Sequence, residues 1–303
     1  MNVPQPLLRG RLVVRYKRFL MDIRVRGDRL VTVHCPNSGS MEGCLENGAE
    51  VLASPKTGQG RLSHVAEWIR GPDGWIGINT QRSNAIVGEA LHEKRIPELR
   101  CYDSVRAEVP YGKNSRVDFL LTAPGLPDCY VEVKNTTWPG DDGALAFPDS
   151  VTLRGRKHLR ELARRVAAGD RAVLLFLANR PFGDRVRACH ERDPAYARAL
   201  AWAQRQGVEL LCYRTAIDPP RVSLAERVPV VLARVPRALL RTGSASGKQA
   251  IDQSRGFGFT SQPSSQDTNP TPSAPATAAP KEATVKPGTS AAARAKATPF
   301  TTK

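Results

Sequence analysis

The sequence predicts an α/β protein (α+β overall): a small β-barrel, then a mixed sheet flanked by helices, then a disordered tail. Three observations predict it. Residues 1 to about 80 are short Val-, Leu- and Ile-rich runs separated by turn residues. From Asn84 the apolar spacing takes the helical period and then alternates helix with strand. Past residue 242 large apolar residues nearly vanish. The implied segments are 1–81, 82–241 and 242–303.

In the first segment "GRLVVRY", "MDIRVRG", "RLVTVHC", "AEVLASP" and "RLSHVAEWI" read as strands, and "WIRGPDGWIGIN" as a hairpin turning at Gly-Pro-Asp-Gly. Five or six short strands in so few residues fit a barrel of the oligonucleotide-binding (OB) type. In the second, "NAIVGEALHEKRIPEL" sets Ile86, Val87, Ala90 and Leu91 on one helical face, with Asn84 as cap and an end before Pro97. Strands follow at about 105–111, 115–122 and 129–134. A helix at about 154–168 buries Leu159, Leu162 and Val166 and stops at Gly169. "RAVLLFLA" is a buried strand, "PAYARALAWAQRQG" a helix and "VELLCYR" a further strand. The order α-β-β-β-α-β-α-β describes a mixed sheet with flanking helices.

The tail, Thr242–Lys303, is rich in Ala, Pro, Thr, Ser and Gln and cannot offset the entropy of ordering. It holds seven Lys/Arg and three Asp/Glu, so +12 of the chain's +16 belongs to the folded part. Such a balance predicts attraction to polyanions, nucleic acid first. The six cysteines show no C-x-x-C spacing, so neither a zinc site nor a disulfide framework is expected. There is no signal-type or membrane-spanning apolar run, which predicts a cytoplasmic protein with reduced thiols and no membrane partner. No G-x-G-x-x-G or G-x-x-x-x-G-K-[ST] fingerprint points to a dinucleotide or nucleotide cofactor.

The chemistry concentrates in "NSRVDFLLTAPGLPDCYVEVKN", residues 114–135, which reads as a long-turn hairpin with charges inside its strands. Strand parity sends Val131 and Val133 to one face, and Tyr130, Glu132 and Lys134 to the other. Asp118 in "SRVDFLL" comes beside Glu132 once the strands pair. Two neighbouring carboxylates call for a hard divalent cation, Mg²⁺ or Mn²⁺, with Lys134 beside it. That set suits metal-assisted phosphodiester hydrolysis; Asp, Glu and Lys on a strand also suit a plain solvated face. The α/β layout favours the site, with helices covering one face of the hairpin and the other lining a cleft.

The segments "TVHCPNSGSMEGC", "WIGINT", "EALHEKRIPEL", "EVPYGKNSRVDFLL", "CYVEVKN" and "FPDSVTLRGRKHLRELA" resemble the sugar fermentation stimulation protein A family, from the N-terminus to about residue 236. The resemblance implies an OB-like N-terminal domain, a restriction-endonuclease-like domain similar to the PD-(D/E)XK nucleases, and DNA binding. It assigns Asp118 to the strand aspartate of the nuclease motif and Glu132 and Lys134 to its E-x-K. It assigns Glu89 to a helical glutamate that adds a metal ligand in some branches. Val117 stands where the motif has proline, and Leu153 where some members carry an acidic residue.

Further contacts are expected from Arg154, Lys157, His158 and Arg160, on the exposed side of the second helix where nuclease relatives place phosphate-contacting cations. The barrel loop holding Asn37, Ser38 and Ser40 suits a phosphate cradled by backbone N–H groups; the same residues suit a sharp bend. "RYKRF" interleaves Arg15, Lys17 and Arg18 with aromatic rings, as single-strand binders do and as an amphipathic first strand does. Two function classes stand. One is a largely sequence-independent DNA-binding protein, on single- or double-stranded DNA, with a metal-dependent deoxyribonuclease site. The other is a DNA-binding regulator of sugar metabolism whose nuclease-like site is not catalytic. Oligomeric state is not readable from these residues.

Overall fold

The computed structural model describes residues 1–56, 58, 60–111 and 115–232. The predicted disordered tail, 242–303, lies outside the described residues. The barrel is built from β1 (Leu8–Tyr16), β2 (Leu20–Val25), β3 (Arg29–His34), β4 (Glu50–Pro55) and β5 (His64–Gly71), with β6 (Gly74–Gly77) hairpinned to β5. The order β3-β2-β1-β4-β5 closes through a parallel pairing of β3 with β5 at His34 and Val65. Strand alternation fills it: Met21, Ile23 and Val25 of β2 point inward with Val33, Val51, Ala66 and Ile69.

After α1 (Arg82–His92) come β7 (Ser104–Tyr111), β8 (Ser115–Thr122), β9 (Cys129–Thr136), and the short strands β10 (Trp138–Pro139) and β11 (Leu145–Phe147). Then follow α2 (Leu153–Ala167), β12 (Arg171–Ala178), β13 (Val186–Ala188), α3 (Pro194–Arg205), β14 (Glu209–Asp218), β15 (Arg221–Arg227) and β16 (Val230–Val231). The main sheet runs β15-β14-β12-β9-β8-β7, with β9, β12 and β14 parallel at its centre. "RAVLLFLA" is the buried strand its composition requires, covered on both faces. Thr152 caps α2 through Gly155 N–H at 3.0 Å, and Asp193 caps α3 through Tyr196 N–H at 2.8 Å.

Three features differ from expectation. Edge strand β15 and the small sheet β10-β11-β13-β16 carry too few periodic residues to announce themselves. Asn84 does not cap α1, which starts two residues earlier without a side-chain cap. And the central hairpin is covered on both faces. Val131 and Val133 pack with Ile86, Val87 and Ala90 of α1, while Tyr130 lies with Leu159 and Leu162 of α2 and Leu200 of α3.

The barrel shares a core with the sheet, since its Leu52 and Trp68 belong to the α1-side cluster. A polar joint adds to this. Glu67 of β5, 1 % exposed, accepts from Ser54 Oγ (2.6 Å), Asn79 Nδ2 (2.9 Å) and Arg82 Nη2 (2.7 Å). A second close approach is Gly77, where any side chain would meet that of Asn179 at 2.2 Å. Arg82→Met would leave the Glu67 carboxylate buried without its cation, at a cost of about 3 kcal/mol. Urea unfolding should show a lower midpoint with unchanged slope; an unmoved midpoint would show the joint carries no stability.

Candidate active site

Strands β8 and β9 pair through Leu121↔Cys129, Leu120↔Tyr130 and Phe119↔Val131, and no further. The next register step would set Asp118 opposite Glu132. Instead the strands part there, while β9 stays paired to β12 as far as Thr136. On the other side, the β7–β8 register passes over Glu108 and Asp118, and Glu108 has a left-handed φ of 54°. The chain twists through this point. Val117 joins the α2-side core, and Phe119 the α1-side core.

Asp118 fills the gap it stands in. Its Oδ2 accepts the Val133 N–H at 2.7 Å, the donor that strand parting released from the ladder. Its Oδ1 accepts from Asn84 Nδ2 at 2.8 Å. Glu132 lies deeper, 2 % exposed beneath α2. Its Oε1 accepts from Lys134 Nζ at 2.5 Å and contacts His158 Nδ1; its Oε2 is buried with no hydrogen-bond partner. Arg154 Nε donates to His158 Nε2 at 3.3 Å, so Nδ1 carries the imidazole proton and donates to Glu132.

The two carboxylates are unlike. Burial, then repulsion from Glu132, pushes the Asp118 carboxyl above its ordinary range. Burial pushes Glu132 up too, but the His158 and Lys134 donors outweigh it and hold Glu132 below its usual value. Glu132 is therefore the fixed charge, and Asp118 the group closer to protonation. Tyr111 stands nearby, its phenol pushed far up by burial and then by Glu132, Glu161 and Asp118.

Beside the pair a cavity of about 520 Å³ is lined by Arg116, Arg154, Lys157 and His158, with Glu108, Pro110 and Ser115. Arg154 and Lys157 thus face an open groove that meets the pair through His158, which contacts Glu132; Asp118, Glu132 and Lys134 do not line it. His158 does not share the exposed side expected of it: it is 4 % exposed and turned inward onto Glu132. Glu89 is another correction. Its Oε2 takes the Met1 α-amino group at 2.7 Å and Arg95 Nη2 at 3.4 Å, so it serves the β15 edge and is not brought to Asp118. Asn84, five residues earlier, is the α1 residue that reaches the site. Asn84 reads from the sequence as the helix cap, so no signal there set it apart as a site residue.

The barrel residues also take other roles. The Arg15 guanidinium donates to the carbonyls of Asn37 (2.7 Å), Gly39 (3.0 Å), Ser40 (3.1 Å) and Arg18 (3.0 Å), so it organises the loop from within. Lys17 and Arg18 are exposed in the β1–β2 turn, with φ of 47° and 65°. The 37–40 loop turns on Gly39 N–H to Asn37 Oδ1 at 2.9 Å, and it faces a carboxylate of the chain itself. Asp149 Oδ2 lies 3.4 Å from both Ser40 Oγ and Met41 N, and a Cβ on Gly39 would meet it at 2.2 Å. Asn37 and Ser38 line a second cavity, of about 190 Å³. Among the described residues, no three His, Cys, Asp or Glu side chains gather closely enough to hold a metal by themselves.

Two family models match: the sugar fermentation stimulation protein RE domain over residues 81–221, and the SfsA N-terminal OB domain over residues 13–78. The sugar fermentation stimulation protein homolog of Pelobacter propionicus is 48 % identical over 233 residues, 77 % of this chain and 100 % of that protein. The homolog of Geobacter sulfurreducens is 45 % identical over 235 residues, 76 % of this chain and 99 % of that protein. A solved structure, Pyrococcus furiosus SfsA in complex with Ca²⁺, shares the fold with a TM-score of 0.69 at 21 % identity, covering 76 % of this chain and 99 % of that one.

The electrostatics of the pair yield a stability test. A raised folded-state pKa means the folded chain holds the Asp118 proton more tightly than the unfolded chain does. Its contribution is favourable at low pH and is lost as pH rises from the ordinary value of 3.8 through the raised one. Metal-stripped Asp118→Asn should therefore melt above the native protein at pH 7, since Asn84 can turn its amide to meet the new one. The gain should shrink as the pH falls to 4. Melting curves in EDTA at both pH values decide it; no gain at pH 7 would contradict the assignment.

Proposed function

The chain belongs to the sugar fermentation stimulation protein family, and on that premise we propose that it is a DNA-binding protein with a metal-dependent phosphodiesterase site at Asp118, Glu132 and Lys134. The observation that carries this reading is the parting of β8 and β9 at Asp118 and Glu132, with Lys134 two residues along the same face. The ladder opens between two carboxylates, Glu132 buried and Asp118 half-buried, and the opening between them is where a cation that offsets their repulsion would sit.

The donor set fits a hard divalent cation. Glu132 Oε2 is a buried acceptor with no hydrogen-bond partner, and the Asp118 carboxyl is disfavoured as an anion beside Glu132. Two carboxylates are the usual protein share for Mg²⁺ or Mn²⁺, with substrate phosphate and water completing the shell. The Pyrococcus furiosus relative solved with Ca²⁺ is in keeping with this. Bound there, the ion would acidify a water and neutralise charge on the scissile phosphate. The chain's own residues do the rest. Asn84 and the Val133 N–H fix Asp118; His158 fixes Glu132. Lys134 brings its ammonium to the charge developing on the phosphoryl oxygens. Arg116, Arg154 and Lys157 line the groove for neighbouring phosphates.

Binding read this way is largely sequence-independent and salt-sensitive. One observation favours the second reading, a regulator that binds DNA without cutting it: Lys134 and His158 both already sit on Glu132 Oε1. The test incubates purified protein with single- and double-stranded DNA in EDTA, Mg²⁺ and Mn²⁺. Cleavage should need the metal and fall about 100-fold or more in Lys134→Ala. Binding without cleavage under either metal leaves the regulator; no binding to either DNA removes both readings.

A further inference from the structure

The second cavity lies where the barrel meets the end of β9. Asn37 and Ser38 line it from the barrel loop, Thr137 and Trp138 from just beyond Lys134, Phe147 from the end of β11 and Asp149 from the loop before α2. Its character is opposite to that of the groove beside the carboxylates. The groove is walled by Arg116, Arg154 and Lys157, whereas the lining of this cavity includes no Lys, Arg or His and one carboxylate, Asp149. A phosphate is repelled there. Amides, hydroxyls, two aromatic rings and one anion suit instead a planar ring with N–H donors on its edge.

Size and place narrow the ligand. An engineered cavity of about 150 Å³ holds benzene, so about 190 Å³ admits one ring system with edge substituents. Thr136 follows Lys134 on the same strand face at about 7 Å by strand rise, and the cavity begins there. A nucleotide whose phosphate stands at Lys134 has its base within reach of this space. Trp138 is pre-set, with the Arg192 guanidinium 5.4 Å from its ring centre. Building on the DNA-binding reading above, we infer that the junction cavity receives an unpaired nucleobase, which makes the site select single-stranded DNA or a base drawn out of the stack.

The test compares two labelled oligonucleotides of equal length and charge, one a normal single strand and one fully abasic, binding to the full-length protein in EDTA. The normal strand should bind at least 10-fold more tightly, within the range of about 5- to 100-fold that one base–aromatic contact provides. Ser38→Phe fills the cavity from an exposed position and should erase that preference while leaving abasic affinity unchanged; Trp138→Leu should reduce it. Melting curves check that both variants fold. Equal affinity for the two strands, or a preference that survives Ser38→Phe, overturns the base site while leaving the DNA-binding reading intact. Failure to bind either strand overturns both.

Discussion

The hydrogen bond from the Val133 N–H to Asp118 Oδ2, 2.7 Å long, is the constraint on which the rest of the site depends. Directly opposed residues on an antiparallel pair bring their Cβ atoms within about 5 Å, and like charges there repel. A regular ladder would impose that contact on Asp118 and Glu132. The chain instead ends the ladder one step earlier, and the aspartate side chain satisfies the backbone donor set free. Parting creates space between the carboxylates without leaving an orphaned amide. Glu132 and Lys134 keep their places because β9 remains paired to β12 on its other side.

Three consecutive residues at the start of α1 hold this opening in position. Arg82 binds Glu67 of the barrel, Ser83 Oγ donates to Asn135 Oδ1 at 3.2 Å just past Lys134, and Asn84 binds Asp118. A single helical turn thus ties the barrel, β9 and the parted strand β8 together. The barrel's buried carboxylate and the site's carboxylate are neighbours through one stretch of backbone. This explains why the first turn of α1 is polar although the rest of the helix buries Ile86, Val87, Ala90 and Leu91. A side-chain cap there would compete for the same groups.

Much of this was legible in the sequence. "YVEVKN" shows its two faces by parity alone, and "RAVLLFLA" its burial by the lack of any polar position. The register distance between Asp118 and Glu132 also follows from the hairpin, although the strands part where they would have met. What was not legible depends on which elements cover which faces. His158 reads as an exposed cation of an Arg-rich helix until α2 lies on the Glu132 face of β9. Glu89 borders the apolar stripe of α1 at an angle that leaves its direction open; the chain's first residues, laid along β15, decide it. Arg15 looks like a nucleic-acid contact because its four carbonyl partners, from Arg18 to Ser40, carry no side-chain signature at all.

The inward role of Arg15 also defines what the barrel contributes. An OB barrel is usually taken as a binding module in its own right, with its loops meeting the strand. Here the loop with the composition of a phosphate cradle meets Asp149, and the arginine with the composition of a phosphate contact braces the same loop from behind. An anion from outside would have to displace a carboxylate that Gly39, by lacking a side chain, admits at close range. The loop's polar groups are therefore directed at the neighbouring sheet, and their effect is to form one wall of the junction cavity. The barrel contributes shape beside the end of β9, while the positive charge of the neighbouring groove comes from Arg116 on β8 and from Arg154 and Lys157 on α2. Charge and shape come from different parts of one chain, and the parted hairpin is where they meet.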